Sequence, residues 1–149
     1  MEVNEQLTLT WPEYLELCDR LYAKLENERF DNLVLIGTGG WIVGKILNKQ
    51  LKLSIYTLIC ESYNNKTQKK LNHTSIIPEK ELAGNVLIVD DLTDTGITLT
   101  AVMGYIKNRY QKINMIRSAV LIKKYHSSVN PDYYVLETAA WVNFPYESD

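Results

Sequence analysis

Long apolar runs, cysteine, histidine and any surplus of charge are all scarce in this 149-residue sequence, and each scarcity removes a class of protein. No apolar run approaches the roughly 20 residues that a membrane-spanning helix needs. The opening MEVNEQLTLT is acidic and has no apolar core, so no secretory signal is read there and a cytoplasmic protein is expected. Two cysteines occur, Cys18 on a predicted helix and Cys60 on a predicted strand, without paired spacing. That argues against a disulfide framework or a cysteine-held metal and leaves two small buried apolar residues. The histidines, His73 and His126, have no ligand partners at metal spacing and read as isolated surface residues. With 16 basic against 18 acidic residues the net charge is -2, which offers no global field toward nucleic acid or an anionic membrane. No repeat and no Pro/Gly-rich linker breaks the chain, so a single domain over residues 1–149 is expected, long enough to bury its own core.

What is present is an alternation of helix and strand patterns. Thr10 and Glu13 have capping-box spacing, and Tyr14, Leu17, Cys18, Leu21 and Leu25 follow at helical intervals, predicting a helix from about Trp11 to Glu28. A buried strand, Leu33 to Ile36, runs into the glycine turn Gly37-Thr38-Gly39-Gly40 and then a helix with Ile42, Val43, Ile46 and Leu47 on its inner face. Leu53 to Cys60 reads as a strand, residues 62–75 lose periodicity, and Val86 to Val89 form a second buried strand. A helix with Leu99, Val102, Met103, Ile106 and Tyr110 and a strand from Met115 to Ile122 complete the series. The expected fold is α/β: a central, mostly parallel sheet with right-handed crossovers and helices on both faces. Ligands of such sheets bind at the C-terminal strand ends, where both the Gly37–Gly40 turn and residues 90–98 begin.

Residues 86–98, VLIVDDLTDTGIT, carry the most chemistry. Four apolar residues end on two carboxylates, Asp90 and Asp91, and a turn of small hydroxyl residues around one glycine then opens a helix. Converging backbone N–H groups, the helix dipole and threonine hydroxyls suit a phosphate, while the acid pair suits hydroxyls or a metal. The stretch resembles the phosphoribosyl pyrophosphate (PRPP) motif of type I phosphoribosyltransferases: apolar strand, two acids, T-G-x-T loop. The resemblance implies that fold, with a core at about residues 30–122 and a small C-terminal hood from about residue 123 joined by the N-terminal segment. It also implies that Asp90 and Asp91 hold the ribose hydroxyls, directly or through Mg²⁺, that Asp94, Thr95, Gly96, Ile97 and Thr98 line the 5′-phosphate site, and that Asp94 is the general base.

The same resemblance organises the rest of the site. The turn containing Thr38, Gly39 and Gly40 is similar to the family's pyrophosphate loop, although many members carry arginine where Thr38 stands, a charged and bidentate contact that is absent here. Residues of about 62–78, with Ser62, Tyr63, Lys66, Lys69 and Lys70 and no acid between Ser62 and Pro78, resemble a cationic lid closing over the leaving diphosphate. The segment VLIKKYHSSVNPDYYVLETAAWVNFPYE resembles the base-binding hood of the 6-oxopurine branch, its WVNFPYE close to the W-I-x-x-P-W-D/E ending of xanthine-guanine enzymes. By that likeness Lys123 donates to the purine oxygen, Trp141 stacks on the ring beside Val142, and Glu147 is a second Mg²⁺ contact. Lys124 is expected on the opposite side.

The reading is thus an enzyme of purine salvage that transfers the phosphoribosyl group of PRPP to hypoxanthine, guanine or xanthine with Mg²⁺, releasing pyrophosphate and acting as a homodimer or homotetramer. Two alternatives share the fold. One is a PRPP-binding RNA regulator, which the near-neutral charge does not support, and the other is transfer to a pyrimidine, against which the WVNFPYE ending counts.

Overall fold

The computed structural model describes residues 5–62, 71–75 and 82–147. In chain order the elements are β1 (Gln6–Thr8), α1 (Trp11–Leu25), β2 (Asn32–Gly37), α2 (Gly39–Leu51), β3 (Ser54–Ser62), β4 (Leu71–Ser75), β5 (Gly84–Thr93), α3 (Ile97–Arg109), β6 (Ile113–Lys124), β7 (Leu136–Thr138), β8 (Trp141–Asn143) and a short 3-10 helix, Pro145–Glu147.

The capping box forms as its spacing predicts. The Thr10 hydroxyl accepts from the Glu13 N–H at 3.3 Å and the Glu13 carboxylate accepts from the Thr10 N–H at 2.9 Å, an arrangement of a kind that stabilises a helix start by about 1 kcal/mol. The helix ends at Leu25, one turn short of the predicted Glu28, where its apolar face runs out.

Six strands form the central sheet in the order β4-β3-β2-β5-β6-β7. Every pair is parallel except β3–β4. Alternation along β2 and β5 divides the core in two. Leu33, Leu35, Leu87 and Val89 face α1 and α2, packing on Tyr14, Leu17, Leu21, Val43 and Leu47. Val34, Ile36, Val86 and Ile88 face α3, against Leu99, Val102 and Ile106. Strands buried on both faces explain the unbroken apolar runs of the sequence. Cys18 is buried in α1, where burial pushes its thiol up to about 12.

Three elements differ from the sequence expectation. The non-periodic stretch holds β4, an antiparallel edge strand. Strand β5 runs past the apolar run to Thr93, so the acid pair lies inside the sheet and not beyond it. Strand β6 runs two residues past Ile122 and carries both lysines into register with β7, Lys123 opposite Glu137 and Lys124 opposite Thr138. The hood closes through a separate two-stranded parallel sheet, β1 with β8, in which Gln6 pairs with Trp141. Among the described residues no helix is long and apolar enough to cross a membrane.

Candidate active site

The C-terminal ends of β2 and β5 are neighbours, and each releases the chain into a helix-opening loop at the same rim. After β2 the Gly37–Thr38 peptide is cis, and Thr38 occupies the N-cap of α2 without a side-chain capping bond. The turn passes directly over β5: a β-carbon on Gly39 would overlap the Asp91 carboxylate, and Gly40 packs on the β5 backbone at Val89. The absence of a side chain at Gly39 therefore sets how closely this loop and the acid pair approach.

Asp90 and Asp91 are adjacent on β5, and the Asp90 carboxylate accepts the Asp91 N–H at 2.8 Å. Burial pushes both carboxyl groups above the usual carboxylate range, and the neighbouring Asp91 charge adds to the shift of Asp90. Among the described residues no cation pairs with either. The Tyr146 hydroxyl, from the 3-10 helix, donates to Asp91 Oδ2 and opposes that rise. Two repelling carboxylates without a cationic partner suit ribose hydroxyls or Mg²⁺ brought by a substrate. No group of three or more acidic, histidine or cysteine side chains among the described residues is placed to hold a metal by itself.

The loop that follows wraps a cavity of about 110 Å³ lined by Asp90, Thr93, Asp94, Thr95, Gly96 and Thr98. Gly96, with φ of 94°, is the left-handed residue that turns the chain into α3. The N-terminal amides of α3 open toward this turn, although the Ile97 N–H is taken by the Thr95 hydroxyl at 3.3 Å. The side chain of Ile97 is 39% exposed, so its contribution to the loop is through the backbone. The turn after β6 braces the loop from outside: the Ser128 N–H and hydroxyl both donate to the Thr95 carbonyl, at 2.9 and 2.8 Å.

A second cavity, of about 520 Å³, lies between this rim and the hood. Thr38, Gly39, Asp91 and Asp94 line its floor, and Lys124, Trp141, Val142, Phe144, Tyr146 and Glu147 its walls. Asp94 lines both cavities. Trp141 is 66% exposed, its ring held at the edge by an indole N–H bond to Asn143 at 3.2 Å. Glu147 accepts the Phe144 N–H at 3.1 Å, closing the 3-10 turn.

Lys123, expected at the purine oxygen, is not among the residues that line this cavity. It pairs with Glu137 at 3.5 Å and lies over the Tyr134 ring, away from the cavity. The residue that enters the cavity wall is Lys124, buried and donating to the Ala140 carbonyl. Both lysines stand within β6, where neighbours point to opposite faces, so an error of one position inverts the assignment. His126 likewise is not isolated: its Nε2 meets Asp94 Oδ1, with both side chains more than half exposed. Ser62 closes β3 opposite Leu71, while Tyr63, Lys66, Lys69 and Lys70 lie outside the described residues.

An acid pair inside a strand, a T-G-I-T cavity next to it and a glycine loop across it make up the site on this rim. The phosphoribosyl transferase domain matches residues 7–148. The chain belongs to that family. This phosphoribosyltransferase is similar to a solved purine phosphoribosyltransferase from Pyrococcus horikoshii, at 31% identity and a TM-score of 0.85, with 97% of this chain and 95% of that one covered. It also shares its fold with the Helicobacter pylori xanthine-guanine-hypoxanthine phosphoribosyltransferase, at 22% identity and a TM-score of 0.86 over 97% and 95% of the two chains. Sequence reasoning missed Tyr146, which stands at the second tryptophan of the W-I-x-x-P-W-D/E pattern. Its hydroxyl was the available signal.

Proposed function

We propose that this phosphoribosyltransferase transfers the 5-phosphoribosyl group of PRPP to a ring nitrogen of a 6-oxopurine, giving a nucleoside monophosphate and pyrophosphate. The observation that carries the reading is Asp94, which belongs at once to the small threonine-lined cavity and to the larger one walled by Lys124 and Trp141. A sugar phosphate in the first brings its anomeric carbon toward a flat base in the second. The Pyrococcus horikoshii relative, a purine phosphoribosyltransferase by name, supports the choice of acceptor.

In this reading the Thr95 to Thr98 loop grips the 5′-phosphate, and Asp90 and Asp91 hold the ribose hydroxyls and, through them, Mg²⁺. When bound, Mg²⁺ supplies positive charge against the departing diphosphate. Backbone amides of Thr38, Gly39 and Gly40 receive that diphosphate without the arginine found in many relatives. Lys124 donates to the purine oxygen, Trp141 and Val142 flank the ring, and Asp94 takes the proton that the purine loses as its nitrogen bonds to the sugar. Glu147 offers a further metal contact. Purine salvage in the cytoplasm by a homodimer or homotetramer is the setting this activity suits.

The test is a panel of free bases, each supplied with PRPP and Mg²⁺, with pyrophosphate release as the readout. Turnover with hypoxanthine, guanine or xanthine is expected. Turnover confined to a pyrimidine, or none with any base, overturns the proposal.

A further inference from the structure

Tyr146 joins the two halves of the site. Its phenol ring belongs to the hood, stacked on Phe144 at 5.3 Å with a 7° interplanar angle and edge-on to Tyr14 at 5.6 Å. Its hydroxyl crosses to β5 and donates to Asp91 Oδ2. A tryptophan, which stands at this position in the pattern, has no hydroxyl to place there. Asp90 is steadied by the backbone N–H of its own neighbour, whereas Asp91 takes its side-chain donor from a residue 55 positions away. The same carboxylate abuts Gly39, whose added β-carbon would overlap both of its oxygens. With the glycine loop packed on it and the phenol bonded to Oδ2, that carboxylate has little freedom to rotate.

We infer that Tyr146 is a positioning residue that acts through Asp91, fixing the carboxylate in the orientation that PRPP and its metal require and thereby tying the hood to the PRPP site. The inference rests on the proposed placement of PRPP at the acid pair. The mechanism is preorganisation: a carboxylate already oriented loses less rotational freedom when the sugar binds. The surrounding aromatic contacts supply the rigidity, since the ring is fixed on two sides and only the hydroxyl reaches out of the stack.

Tyr146→Phe removes the hydroxyl and keeps the ring. The affinity of PRPP with Mg²⁺, measured by isothermal titration without any purine, is expected to fall about ten-fold, the loss that a hydrogen bond to a charged group commonly carries. A purely structural role for the ring would leave this number unchanged. The deciding measurement is a double-mutant cycle: Asp91→Asn weakens PRPP further, and Tyr146→Phe added to Asp91→Asn is expected to cost nothing more. Thermal unfolding of each variant confirms that the fold is retained. Affinity of Tyr146→Phe within two-fold of the native protein, or full additivity in the cycle, overturns the inference. Failure of the proposed function is separately visible: the native protein would bind PRPP yet release no pyrophosphate with any 6-oxopurine.

Discussion

Gly39 lies against the Asp91 carboxylate, so closely that a β-carbon at this position would overlap it. The turn into α2 and the end of β5 thus share one surface, and a change in either is felt by the other. Gly39→Ala must push the Asp91 carboxylate aside and break its bond to Tyr146. We expect the variant to fold, since the displaced group is a side-chain end at the rim of the sheet. Its kcat/KM for PRPP should fall by about ten-fold or more, the order of one lost charge-assisted hydrogen bond, as read from initial rates at saturating base.

The lysine pair gives a prediction opposite to the one the sequence suggests. Lys124→Ala is expected to lower kcat/KM for the purine by roughly ten- to hundred-fold, because it deletes a charge-assisted donor from the cavity wall. It should also lower the melting temperature, since the stem is buried and the Ala140 carbonyl loses its donor. Lys123→Ala should change neither kinetic constant by more than a few-fold, as its partners, Glu137 and Tyr134, lie outside the site. Equal losses in both variants would show that the strand register is not what governs base recognition.

The acid pair should be costly to stability at neutral pH. Asp90 has its folded pKa raised above the unfolded value, by burial first and by Asp91 second. The folded state then binds more protons than the unfolded state between those two values, so stability declines as pH rises from the ordinary aspartate value of about 4 toward the raised one. Asp90→Asn removes the ionisable group and is expected to raise the melting temperature at pH 7 while abolishing turnover. Melting curves from pH 4 to 8 should show the native protein losing stability along this range relative to the variant. A variant that melts lower at pH 7 contradicts the argument.

Asp94→Asn should cut turnover by about 10² to 10⁴ while leaving PRPP affinity within a few-fold, as loss of a general base does. Its neighbour offers a graded comparison. The Asp94–His126 pair is exposed on both sides, and such pairs contribute less than about 1 kcal/mol, so His126→Ala should reduce turnover only a few-fold. Single-turnover rates at saturating PRPP and base separate the two. A His126→Ala defect as deep as that of Asp94→Asn would make the histidine part of the proton-transfer machinery itself.

Much of this was legible in the sequence because it is written in short-range patterns. The unbroken apolar runs of β2 and β5 and the capping box at Thr10 are local features, and the 86–98 motif is continuous, so the sheet and the floor of the site could be read from the sequence. What escaped depends on distant pairing. The end of β6 is fixed by β7, a three-residue strand with no periodic signal, and with it the choice between Lys123 and Lys124. The partners of Tyr146 and His126 stand 55 and 32 residues away, at separations where a side chain's neighbour leaves no imprint on the residues around it.

The pairing of β1 with β8 has a consequence for the order in which the protein comes into being. During synthesis Gln6 leaves the ribosome long before Trp141 is joined to the chain, so β1 must wait, unpaired, while the sheet assembles beside it. The strands and the loop around the smaller cavity are complete when β6 has formed. The wall carrying Trp141 and Tyr146 arrives afterwards and is locked by a strand made at the outset. A nascent chain therefore forms its smaller, threonine-lined cavity first and the larger cavity under the hood last.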